Sequence, residues 1–98
     1  MKNITYDQLQ LWKADNQIFQ LIDVREPEEH DTYNIGGTLI PLEDILREKD
    51  QLNLSQPIVF YCKRGIRSQI AIQKLQRKLP NGDFYNLTNG ILHLQKNQ

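Results

Sequence analysis

Residues 58–68, IVFYCKRGIRS, limit what this chain can fold into more than any other stretch. Four apolar, strand-prone residues (Ile58, Val59, Phe60, Tyr61) deliver the sole cysteine, Cys62, into a short loop, Lys63-Arg64-Gly65-Ile66-Arg67. Behind the loop, Ser68 opens a segment of helical spacing. A thiol at a strand end, ringed by three cations and facing a helix N-terminus, sits where an ionised sulfur is favoured. If Gly65 lets the loop curl around one point, successive N–H groups form a concave nest that holds an anion over the sulfur.

The flanking pattern extends this strand-loop-helix unit into a whole fold. Thr5 and Gln8 stand at the two positions of a capping box, so a helix starts there and runs to about residue 15 with Leu9 and Trp12 inward. Residues 18–24 follow as a strand too apolar to face water on both sides. Pro27, with Glu28 and Glu29 behind it, suits the first turn of a short helix over residues 27–33. Asn34 to Gly37 break the chain, residues 38–40 form a short strand ended by Pro41, and residues 42–49 read as a helix burying Leu42, Ile45 and Leu46.

After the cysteine loop, Ala71, Ile72, Leu75 and Leu79 share one helical face, with Gln73, Lys74, Gln76 and Arg77 on the other. Pro80-Asn81-Gly82 stops that helix, residues 83–87 form the last strand, and Asn89-Gly90 turns into a terminal helix over residues 91–96 with Ile91, Leu92 and Leu94 inward. Strands alternating with helices over short connections predict an α/β fold: a central parallel sheet of about five short strands with helices on both faces. In such sheets ligands bind beyond the carboxyl ends of the strands, and Cys62 lies there.

Composition narrows the class. Ninety-eight residues, 39% of them hydrophobic, fit one domain spanning residues 1–98. Twelve basic residues balance twelve acidic ones, so no global field draws nucleic acid. One cysteine leaves no intramolecular disulfide and no thiolate-rich metal site, which fits a reducing compartment. With no signal-like N-terminus and no run near the roughly 20 apolar residues that span a bilayer, a cytoplasmic protein without membrane contact is expected. His30 and His93 lie in no motif and are expected at or near the surface. The acidic run Glu26, Glu28, Glu29 and Asp31 reads as a helix start and solvated face.

Cys62-Lys63-Arg64-Gly65-Ile66-Arg67-Ser68 resembles the active-site loop of rhodanese-type sulfurtransferases, in which a six-residue loop beginning at cysteine holds a persulfide. Leu21-Ile22-Asp23-Val24-Arg25-Glu26-Pro27 is similar to the family's first signature, and Tyr85-Asn86-Leu87-Thr88-Asn89-Gly90-Ile91 to its final strand and turn. The likeness covers roughly residues 4 to 94. Three departures stand out: Tyr33-Asn34-Ile35-Gly36-Gly37-Thr38 replaces the usual Gly-His-Ile-Pro-Gly-Ala, Asn89-Gly90 replaces Gly-Gly, and Leu94 stands where tryptophan is common.

The resemblance implies a rhodanese-like domain in which Cys62 is the nucleophile. Lys63, Arg64, Gly65, Ile66 and Arg67 would line the substrate site, with Asp23, Arg25 and Ser68 supporting it. It implies sulfur transfer from thiosulfate or a persulfide to cyanide, a thiol or an acceptor protein, by a monomer needing no metal or organic cofactor. Other readings are a sulfur carrier with a dedicated partner, a non-catalytic interaction domain, and a thiol phosphatase or arsenate reductase. Thiol phosphatases place five residues between cysteine and arginine, whereas Cys62 and Arg67 have four between them, a smaller cradle better suited to a terminal sulfur.

Overall fold

The computed structural model describes residues 1–95. Five strands, β1 (Lys2–Ile4), β2 (Gln20–Asp23), β3 (Thr38–Leu39), β4 (Ile58–Tyr61) and β5 (Phe84–Leu87), form one sheet in the order β1-β5-β4-β2-β3. Every pairing is parallel. The helices are α1 (Tyr6–Ala14), α2 (Pro27–Thr32), α3 (Ile66–Lys78) and α4 (Leu92–Gln95). None is long and apolar enough to cross a membrane.

Strand β4 shows why an unbroken apolar run was needed. It is central, flanked by β5 and β2, and all four of its residues are buried. Ile58 and Phe60 point into one core with Ile22, Ile45, Ala71, Ile72, Leu75 and Phe84, which includes the inner face of α3. Val59 and Tyr61 point into the other with Ile4, Leu9, Leu87 and Ile91, which α1 and the C-terminal segment cover. Alternation along a strand thus feeds two cores, each fully buried large aliphatic side chain contributing about 1.5–3 kcal/mol.

Several boundaries differ from those the sequence predicts. β1 is an additional edge strand, pairing Lys2, Asn3 and Ile4 with Tyr85, Asn86 and Leu87. β2 begins only at Gln20, where it meets Ile58, and Ile18 is left 71% exposed. The ladder stops there because Pro57, preceding β4, has no N–H to extend it.

The helix expected over residues 42–49 is instead two 3-10 turns, Leu42–Asp44 and Lys49–Gln51. Neither has a side-chain cap. Ile45 and Leu52 are both buried while Leu42 and Leu46 are only partly so. A 3-10 turn rises about 2.0 Å per residue against 1.5 Å for an α-helix, which carries the short segment back toward β4. The terminal helix begins at Leu92, one residue later than expected, and the expected end at Lys96 lies outside the described residues.

Candidate active site

Cys62 follows β4 directly, at the carboxyl edge of the sheet, and is only 1% exposed. Its sulfur takes the place of a capping side chain. Gly65 occupies the N-cap of α3 in the left-handed region (φ 92°) and contributes no side-chain bond. Cys62 Sγ instead accepts from the N–H of Gly65 at 3.1 Å and of Ser68, the third residue of the helix, at 3.4 Å. The loop therefore aims backbone donors and a helix N-terminus at the sulfur.

A buried polar chain continues behind it. Ser68 Oγ lies 3.4 Å from Cys62 Sγ and donates to Asn86 Oδ1, while Asn86 Nδ2 donates to Asn3 Oδ1 at 3.3 Å. Asn86 is 2% exposed on β5, a strand otherwise made of Phe84, Tyr85 and Leu87. This link was missed in the sequence, where the only visible signal was a polar residue inside an apolar strand.

The far side of the loop is pinned by the turn after β5. Asn89 (φ 65°) and Gly90 (φ 62°) are both left-handed. They bring the Ile91 N–H to the carbonyls of Cys62 and Lys63, each at 3.1 Å, and the Leu92 N–H to Lys63 at 3.0 Å. Asparagine tolerates that backbone region, so its replacement of glycine at residue 89 preserves the turn. Gly90 is stricter, because a Cβ there would lie 2.3 Å from the Lys63 carbonyl oxygen.

In front of the sulfur, Cys62, Lys63, Arg64, Ile66 and Arg67 line a cleft of about 340 Å³. Among the described residues, the amides of Lys63, Arg64, Ile66 and Arg67 have no intramolecular acceptor. Lys63 and Arg64 are exposed and form no ion pair there, and Ile66 is 65% exposed. The loop thus combines a buried sulfur, spare N–H donors and two uncommitted cations.

Arg67 is engaged elsewhere. Its Nη1 and Nη2 donate to the two carboxylate oxygens of Glu29 at 2.6 and 2.9 Å, tying α3 to α2. Glu29, expected on a solvated face, also accepts from the Glu26 N–H as half of a capping box. The Arg67 hydrogen bonds pull the Glu29 carboxyl down to about 2, against burial that pushes it up. Arg67 is raised in turn, by the same hydrogen bonds first.

Asp23, the last residue of β2, and Arg25 just after it form a second buried cluster. Asp23 Oδ1 accepts from Arg25 Nε at 2.9 Å and from the Arg25 N–H at 3.0 Å. Its Oδ2 accepts from Arg25 Nη2 at 2.8 Å and lies 2.9 Å from His30 Nδ1. Arg25 also donates to the Tyr33 carbonyl at 2.6 Å and lies 5.6 Å from the centroid of the Tyr61 ring. Burial works against the Arg25 charge, yet the Asp23 hydrogen bonds together with the charges of Asp23, Tyr61 and Glu29 outweigh it and its pKa is raised. The Tyr61 hydroxyl is pushed up to about 12, first by burial and then by Asp23. His30 is partly buried, as expected, but joins Asp23, which its lack of a motif did not reveal. His93 is exposed.

The rhodanese-like domain family matches residues 5–97. An uncharacterized protein from Bacillus subtilis, YqhL, is 36% identical over 94 residues, covering 93% of this chain and 70% of its own length. The probable adenylyltransferase/sulfurtransferase MoeZ of Mycobacterium tuberculosis is 36% identical over 92 residues, 91% of this chain, which spans 23% of that protein. A rhodanese-like domain protein from Staphylococcus aureus superposes with a TM-score of 0.83 at 28% identity, over 93% of this chain and 88% of its own.

Proposed function

The chain belongs to the rhodanese-like domain family, and from that membership we propose that it is a sulfurtransferase carrying sulfane sulfur as a persulfide on Cys62. The observation that carries this reading is the loop itself: the Cys62 sulfur at the floor of a cationic cleft whose remaining amides have no internal partner. Spare donors around a nucleophile are what an incoming anion needs.

In the first step the Cys62 thiolate attacks the outer sulfur of thiosulfate. A sulfur-sulfur bond forms to the cysteine, and the donor's sulfur-sulfur bond breaks with its electron pair leaving on sulfite. The loop amides stabilise the charge on the leaving group and then on the terminal persulfide sulfur. A persulfide donor follows the same course, with a thiolate as leaving group. In the second step a thiophile, whether cyanide, a small thiol or an acceptor protein, attacks the outer sulfur and returns the Cys62 thiolate.

The protein acts in this scheme as a monomer without a cofactor. The exposed Ile66 on the cleft rim supports a protein acceptor as a second reading, since a small anion gains little from it. Intact-mass measurement after incubation with thiosulfate or an alkyl persulfide tests the proposal. The expected result is the gain of one sulfur atom, removed by cyanide as thiocyanate. A chain that takes no sulfur from any donor would overturn it.

A further inference from the structure

We propose that Glu29 sets the charge specificity of the Cys62 cleft by occupying Arg67, so that anionic donors such as thiosulfate meet a less cationic site than the sequence of the loop advertises. The inference deepens the sulfur-transfer reading and rests on it for its substrate class. Its structural basis is the two-point pairing of Arg67 with both Glu29 oxygens at 2.6 and 2.9 Å, made by an arginine that lines the same cleft as Cys62.

Three features make this pairing a competitor for the donor and more than a helix tie. A carboxylate presents two oxygens to a guanidinium fork in the geometry that a sulfonate-like end of a donor would use, so the two compete for the same donors. Arg67 and Glu29 side chains remain 32% and 29% exposed, which leaves the pair open to exchange from solvent. The Glu29 carboxylate is also held from behind by the Glu26 N–H at 3.0 Å, which keeps it aimed at Arg67.

Lys63 sharpens the argument. It borders both the Cys62 cleft and a neighbouring cleft of about 280 Å³ lined by Arg25, Glu28, Glu29, Thr32 and Gln95. An anionic donor entering beside Lys63 therefore reaches the Arg67 guanidinium only by displacing Glu29, whereas a neutral persulfide has no use for that guanidinium.

Glu29→Gln tests the idea, because glutamine keeps the capping position of α2 while removing the charge. The expected result is about a tenfold rise in kcat/KM for thiosulfate, carried mostly by KM, with little change for a neutral persulfide donor. In an Arg67→Ala background the same substitution should lose most of that gain, since no guanidinium is left to release. A gain that persists undiminished without Arg67 would mean that Glu29 acts by simple repulsion, and an equal change for both donors would mean a structural role; either overturns the proposal.

Binding separates this proposal from the transfer reading. Sulfate, which donates no sulfur, should protect Cys62 from iodoacetamide more strongly in Glu29→Gln than in the unchanged protein. That result would uphold the inference even if no donor loaded Cys62. Unchanged protection in a protein that does load would overturn the inference and leave the transfer reading intact.

Discussion

The Cys62 loop and the Asp23 cluster end adjacent strands of the same sheet, with Asp23 in register opposite Tyr61, yet they handle polar groups in opposite ways. Around Asp23 the bonds close on themselves: both carboxylate oxygens and the guanidinium are used, on residues of the same short segment. Around Cys62 the sulfur has two amide donors, and the loop keeps further amides and two cations free among the described residues. A buried polar group that is fully satisfied fixes geometry, whereas one beside unused donors can receive a ligand. On the proposed sulfur-transfer reading, this difference gives Asp23 and Arg25 a supporting role and the loop the chemistry.

The largest effect that could break this comparison comes from Cys62→Ser. The hydroxyl can still accept from Gly65 and Ser68, so stability should change by about 1 kcal/mol or less, while sulfur uptake disappears entirely. Intact mass and a urea titration on the same sample read both. Uptake that survives would move the chemistry away from Cys62.

Asp23→Ala should show the reverse pattern. It leaves the Arg25 guanidinium buried at 2% exposure with its main partner gone, a change that costs about 3–5 kcal/mol. The urea midpoint should fall accordingly, while the folded fraction still loads Cys62. A small stability change with collapsed transfer would place Asp23 in the reaction instead.

The parts of the molecule legible in sequence were those with local causes. The capping box at Thr5 and Gln8 forms with both of its bonds, and the strand-cysteine-loop-helix order places Cys62 at the sheet edge. What was not legible depended on partners distant in the chain. β1 carries Lys2 and Asn3 with only Ile4 buried, and it becomes a strand because β5, some eighty residues on, offers an edge. Arg67 reads as a free cation until α2 brings Glu29 to it across 38 positions, and Asn86 reads as an oddity until Ser68 reaches it. Residues 42–49 have helical spacing but fold as 3-10 turns because Ile45 and Leu52 must both reach the core.

Acid should separate the two regions more gently. The Glu29 carboxyl lies near 2 when folded against an ordinary value of 4.5, so the Arg67 pairing contributes stability that is fully present above about 4.5. It is lost as pH falls through that value toward 2, because the unfolded chain binds the proton first. After allowance for the pair's solvent exposure, the contribution is about 1 kcal/mol. Glu29→Gln should therefore flatten the acid limb of the stability curve. An unchanged limb would show that the pair contributes nothing to folding.

The smallest effects belong to Lys63 and Arg64, and they decide whether the free cations of the loop bind charge or merely shape it. Both side chains are exposed and unpaired among the described residues, so replacing either with alanine should alter stability by no more than about 0.5 kcal/mol. At low salt each variant should lose a few-fold in kcat/KM for thiosulfate, because the positive charge stands beside the cleft where the anion enters. That loss should vanish as ionic strength approaches roughly 1 M, where the screening length is about 3 Å. A neutral persulfide should be indifferent to both substitutions at any salt. If the neutral donor loses as much as thiosulfate, or the deficit persists in high salt, then these side chains hold the loop in place. The contrast between a closed cluster at Asp23 and an open one at Cys62 would then rest on the backbone amides alone.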